Sequence, residues 1–353
     1  MFLDDRKKRI LRAIIDDYIN TAEPIGSRTI ARKHELGLSS ATIRNEMADL
    51  EDMGYLAQPH TSAGRIPSDK GYRLYVDTLM EIKDLPLEEI ESIKNALEVK
   101  INEMSQLIRQ ASIIMSKITK YTSMAITPQM KKNVLKAVQV VPVETGKILV
   151  IVVTQSGTVR NEMIKISDHV TPDFLIRISN IINEKLTGLT IGQINLHVIR
   201  EIERELGAYK GILLPILNGV AECINQIDNP EIYLDGSTNI LNYPEFQDVM
   251  KAKGFLDMLD EKTVLWKLLN INIDDEVDAL NIHIGKENEQ NEIKDCSLIT
   301  TTYSIGNVVI GSIGIIGPTR MEYGKVISSL NYIRQIVNQE INKLIGEIPN
   351  GSG

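Results

Sequence analysis

Three short apolar-striped segments, cut apart by strong helix breakers, fill the first 54 residues and leave few folds open. Between Asp4 and Asn20, the residues Ile10, Ile14 and Tyr18 form one row and Leu11, Ile15 and Ile19 the next. That is the one-sided stripe of an amphipathic helix. Pro24 and Gly26 end it, and Ser27 is placed to cap a second helix, SRTIARKH, with Ile30 and Ala31 inward. Gly37 suits a left-handed helix stop, and Leu38 can fold back on the core. Ser39 then caps a third helix. At about 100° per residue, Ile43, Met47 and Leu50 share its core face, while Ala41, Arg44, Asn45 and Ala48 lie on the outer face. Gly54 closes it. Three short helices with a tight turn before the third are the helix-turn-helix pattern.

Such a module presents the N-terminal part of its third helix to the DNA major groove. From Ser39 to Asn45 there is no acid, and Ser40, Thr42, Arg44 and Asn45 can donate to phosphates or base edges. The helix N-terminal amides favour phosphate as well. Glu46, Asp49, Glu51 and Asp52 follow, an acidic run that sits poorly against a polyanion. Asp52 lies roughly 10 Å beyond Asn45, so a tilted helix can leave that end outside the groove. After Gly54, Tyr55 to Gln58 and Arg65 to Pro67 can pair as a hairpin whose tip, HTSAG, is small and polar. This reads as a wing, with His60, Thr61, Ser62 and Arg65 fit for backbone or minor-groove contact. Ser68 can cap a further helix bearing Lys70 and Arg73. The candidate DNA-contacting set is therefore Ser39, Ser40, Thr42, Arg44, Asn45, His60, Thr61, Ser62, Arg65, Lys70 and Arg73. A winged helix used only to dock on protein remains the alternative.

The first 80 residues hold 12 Lys+Arg and 12 Asp+Glu, so the whole net charge of −8 lies on the remainder of the 353-residue chain. A neutral module on an acidic body can bind DNA if its cations share one face. Cys223 and Cys296 stand far apart, which is neither a disulfide framework nor a metal spacing and fits a reducing, cytoplasmic location. The five histidines show no paired spacing, and no HExxH, CxxC or phosphate-binding GxxxxGK[ST] occurs, so no metal, cofactor or enzymatic activity is expected. No apolar run approaches the length of a membrane span.

Residues 86–120 read as one long linker helix, or two with a bend. Its near-heptad seam runs through Ile90, Ile93, Leu97, Ile101, Met104, Ile108, Ala111, Met115 and Ile118. It could hold the winged helix away from the body, pair with a second copy, or pack on the following domain. Residues 134–166 alternate as strands, a helix follows from Pro172, further strands run over ALNIHIG, CSLITTTYSI and NVVIGSIGIIG, and a last helix closes the chain. Strands on both sides of a helical middle point to one α+β domain split by an insertion.

The run EPIGSRTIARKHELGLSSATIRNEMADLEDMGYLAQPHTSAGRIPSDKGYRLYVD resembles the N-terminal domain of the HrcA-type heat-inducible transcription repressors. The run KDCSLITTTYSIGNVVIGSIGIIGPTRMEYGKV resembles the C-terminal part of the same family, so the two bracket nearly the whole chain. The resemblance implies a multidomain α+β fold: a winged helix-turn-helix at 1–80, a GAF-like α+β domain in two parts at 121–189 and 256–347, and an inserted, mainly helical dimerisation domain at 190–255. It implies a homodimeric repressor of bacterial chaperone operons, double-stranded DNA with an inverted-repeat (CIRCE) operator as partner, and a GroE-type chaperonin as modulator. The alternative function is a small-molecule-sensing regulator, with its pocket between the 134–166 strands and the 298–317 strands. A protein assembly factor is a third.

Overall fold

The computed structural model describes residues 3–82, 84–97, 104–126, 134–155, 158–166, 170–190, 193–194, 196–205, 210–228, 231–270, 279–305 and 308–346. Ile101 of the expected seam lies outside these residues.

The N-terminal unit begins with α1 (Asp5–Thr21), whose N-cap Asp4 accepts from Lys7 N at 2.8 Å. Helix α2 (Ser27–Lys33) starts after Gly26, so Ser27 is its first helical residue and not its cap as expected. The reason is non-local. Ile25 is held extended by two backbone bonds to Arg65, each 2.9 Å, and the chain can turn helical only beyond Gly26. Helix α3 (Ser40–Asp52) is capped by Ser39, which accepts from Thr42 N, and Gly37 and Gly54 both take left-handed φ at its flanks. Strands β1 (Leu56–Ala57) and β2 (Ile66–Pro67) pair antiparallel as a short hairpin, and α4 (Asp69–Leu74) follows under a Ser68 cap. Ile10, Leu11, Ile14 and Ile15 of α1 meet Ile30, Ile43 and Leu50 in a fully buried core.

Gly64 has no space for a side chain, because a Cβ there would lie 2.4 Å from the Ile25 carbonyl oxygen. Gly64→Ala is expected to push the hairpin off Ile25 and cost about 1–3 kcal/mol, the range for overfilled sites. Thermal unfolding read alongside the amide signals of residues 25 and 65 checks this, and an unchanged melting temperature would refute it.

Helices α5 (Leu87–Leu97) and α6 (Met104–Thr119) come next, followed by β3 (Thr122–Ile126), a strand buried along its whole length. The chain then leaves for a separate unit. Strands β4 (Leu135–Glu144), β5 (Lys147–Thr154) and β6 (Val159–Lys165) form their own antiparallel sheet in that order. Helix α7 (Pro172–Leu186) packs on β4, and Asn183 bonds both the N–H and the carbonyl of Val138. Helices α8 (Leu196–Glu205) and α9 (Lys210–Asp228) complete the unit, α9 against β5 and β6.

The chain re-enters the body as β7 (Ile232–Asp235), which pairs antiparallel with β3, Ile126 opposite Ile232. After α10 (Val249–Asp260) and α11 (Lys262–Asn270) come β8 (Leu280–Ile284), β9 (Cys296–Ile305), β10 (Val308–Pro318) and α12 (Tyr323–Gly346). The body sheet has the order β7-β3-β10-β9-β8 and every pairing in it is antiparallel. One face carries α6 and α12, and the other carries Met124, Ile126, Leu298 and Ile316 against α10 and α11.

Two expectations change here, and one alternative is selected. The 134–166 strands do not join the late strands but form a sheet of their own. The segment that interrupts the body therefore runs from about 134 to 228, earlier than 190–255, and it carries three strands as well as helices. Of the alternatives for the 86–120 stretch, packing on the following domain is the one found: α5 and α6 both pack on α12, and Ile93, Leu97, Met104, Ile108, Ala111 and Met115 are buried. Alternation identifies a strand but not its partners, and β3, buried on both faces, carries no alternation at all.

Candidate nucleic-acid interface

The N-terminus of α3 is organised by Ser39. Its Oγ accepts from Thr42 N at 3.1 Å and lies 2.9 Å from the Thr42 hydroxyl, so both side chains are held against the helix start. Arg44 and Asn45 are exposed on the first turns, and among the described residues neither side chain has a hydrogen-bond or ion-pair partner. Ser40 is half-buried beside them. At the hairpin tip His60, Thr61 and Ser62 are all exposed. Gln58 Nε2 donates to the carbonyls of Thr61 (3.1 Å) and Ala63 (2.9 Å), which fixes the path of the tip.

The acidic run is largely neutralised from within. Lys7 on α1 contacts Glu46 at 2.6 Å and Asp49 at 3.0 Å, and Arg6 adds a contact to Glu46 at 3.3 Å. Bonding to Glu46 raises the Lys7 pKa above its ordinary value. Arg65 of the hairpin pairs with Glu51 at 2.7 Å and ties the hairpin to α3. Arg6 and Lys7 were not singled out from the sequence. The basic run RKKR at residues 6–9 was the available signal.

These elements gain a context from proteins of similar sequence. The family model described as "HrcA protein C terminal domain" matches residues 105–327. A heat-inducible transcription repressor HrcA of Acetivibrio thermocellus is 62% identical over 347 residues, covering 98% of this chain and 99% of that protein. The protein of the same name from Ruminiclostridium cellulolyticum is also 62% identical, over 98% of this chain and 99% of its own length. This chain belongs to the HrcA family of transcription repressors. A solved crystal structure, described as a hypothetical protein at 2.2 Å resolution, shares the fold: TM-score 0.65 at 23% identity, over 97% of this chain and all of that one.

The relatives of this family are named as transcription repressors. Among the described residues no group of three or more His, Cys, Asp or Glu side chains could hold a metal ion. No described helix is long and apolar enough to cross a membrane.

In this HrcA family member the remaining candidate cations are committed to other contacts. Lys70 Nζ donates to the Met53 carbonyl at 2.8 Å and lies 4.4 Å from the centre of the Tyr55 ring. Arg73 points away from α3 and into the body. Its guanidinium forks onto the Glu287 carboxylate, donates to the Ile282 carbonyl at 2.5 Å and reaches Asp77 at 3.2 Å. Asp69 accepts from Lys286 N at 3.1 Å beside it. The geometry thus groups Ser39 to Asn45 on α3, links the hairpin to that helix through Arg65, and does not bring Arg73 to them.

The same junction is closed elsewhere by Arg320. Its Nη1 donates to the Ile19 carbonyl at the end of α1 (2.9 Å) and its Nε to Glu245. A cleft of about 410 Å³ opens beside α1, lined by Arg12, Asp16, Tyr75, Glu81, Tyr323 and Lys325 among others.

Proposed function

We propose that this chain is a dimeric, sequence-specific repressor of bacterial chaperone operons that reads an inverted-repeat, CIRCE-type operator in the cytoplasm. The observation that carries the reading is the Ser39-capped start of α3, where Arg44 and Asn45 stand exposed with no acid in the first turn. In this reading residues 1–80 are a winged helix-turn-helix with β1 and β2 as its wing. Thr42, Arg44 and Asn45 meet base edges, since Arg pairs bidentately with guanine and Asn with adenine. Ser39, Ser40, His60, Thr61 and Ser62 hold the phosphate backbone. Arg65 and Lys70 reach phosphate by exchanging their present partners, and Arg73 does so only on leaving Glu287.

The body sheet with its helices corresponds to the GAF-like domain, and the 134–228 unit to the inserted dimerisation domain. Two-fold symmetry in the protein calls for a palindromic site, because one winged helix reads only a short half-site. A GroE-type chaperonin, implied by family resemblance, modulates the active form.

Hydroxyl-radical footprinting on the inverted repeat tests the reading. Protection should fall in two symmetric patches, about 10 base pairs or a multiple of that apart. A single patch, or uniform weak protection, would count against a dimeric reader.

A further inference from the structure

The third helix carries four carboxylates within the seven residues from Glu46 to Asp52, yet it is the helix the proposed function places against a polyanion. Its first acid comes directly after Asn45. An unpaired carboxylate there, partly withdrawn from solvent, would repel the nearest phosphates with little screening, because salt and water weaken charges least where they have least access.

The folded chain supplies counter-charges from outside the helix. Lys7 of α1 reaches across to Glu46 and Asp49, and its side chain is 13% exposed where that of Glu46 is 12% exposed. Asp4 lies 3.8 Å from the same ammonium. Arg6 contributes a second contact to Glu46 from an exposed position, and Arg65 deals with Glu51. Among the described residues Lys7 alone touches two of these four carboxylates, and it is set between α1 and α3, not on the outer face.

We infer that Lys7 is a positioning residue for operator binding: its ammonium, together with Arg6 on Glu46, offsets the charges of Glu46 and Asp49, so that the start of α3 can approach DNA. This rests on the DNA-reading role proposed above. A plain clamp between α1 and α3 makes a different demand. Under a clamp, removing either the cation or the two acids weakens the helix pair, and DNA binding falls in both cases. Under neutralisation the two changes act in opposite directions.

The test uses the full-length chain and a labelled inverted-repeat duplex, with binding read over a salt series and folding followed by thermal unfolding. Lys7→Met should weaken binding about tenfold at low salt, and the loss should shrink as salt rises and screens the freed carboxylates. The double variant E46Q/D49N should bind more tightly than the parent at low salt, although it melts no higher. The triple variant K7M/E46Q/D49N should lose the K7M defect and fall between the parent and the double variant, since Arg6 remains. If E46Q/D49N binds more weakly than the parent, or if the K7M loss is the same at every salt concentration, Lys7 is only a clamp and the inference fails. Parental binding that K7M and E46Q/D49N both match overturns it equally. A parent chain without salt-steep binding would overturn the DNA-reading role itself.

Discussion

Arg320→Met is expected to lower folding stability by about 1–3 kcal/mol, the range for leaving a largely buried polar group without its partner. The Arg320 side chain is only 10% exposed, and it joins three parts of the chain. It donates to Ile19 at the end of α1, pairs with Glu245, and lies 5.4 Å from the centre of the Tyr243 ring. Methionine keeps much of the volume but strips Glu245 of its cation. One oxygen of that carboxylate is already buried without a partner, so the loss falls on a group that is only partly open to water. The end of α1 also loses the donor for a terminal carbonyl. Thermal unfolding should show an earlier transition, and E245Q added to the methionine variant should recover part of it. A melting temperature within a degree of the parent would mean that the junction between α1 and the body does not depend on this contact.

Arg44→Ala should weaken binding to the inverted-repeat operator by about 1–3 kcal/mol, roughly 5- to 150-fold, while leaving the melting temperature unchanged. The exposed guanidinium has no partner among the described residues, so its removal leaves nothing unpaired in the free protein. The effect should be confined to the specific sequence. An equal loss on random duplex would show that Arg44 touches only phosphate. Competition binding with operator and random duplex separates the two.

Local chemistry was legible in the sequence, and long-range partnership was not. The Ser39 and Ser68 caps and the left-handed Gly54 follow from residues within four positions of one another, whereas Gly37, though left-handed, does not stop α2, which ends at Lys33 with His34 extended. Arg44 and Asn45 lie on the exposed side of α3 because Ile43, Met47 and Leu50 fix the buried one. Ser27 shows the limit of the same reasoning: its capping role was displaced by the pairing of Ile25 with Arg65, forty residues away. Sheet membership was missed for a related reason. TSMAI is buried on both faces and shows no alternation, and EIYLDGS gives no hint that it lies beside TSMAI. The missing strand moved the boundary of the inserted unit with it.

The candidate site divides in the same way. The exposure of the α3 residues could be read from helical spacing. The pairing of Lys7 with Glu46 joins two helices, and that of Arg73 with Glu287 spans 214 positions. Neither separation leaves a periodic trace.

The central claim is sequence-specific reading of DNA by α3 and the hairpin. The most direct measurement is fluorescence anisotropy of a labelled inverted-repeat operator and of a scrambled duplex, titrated with the full-length chain over a salt series. Binding should fall steeply with salt on both duplexes, and the operator should be preferred by about a thousandfold or more. Equal, weak affinity for the two, unchanged when a GroE-type chaperonin is added, would contradict the claim.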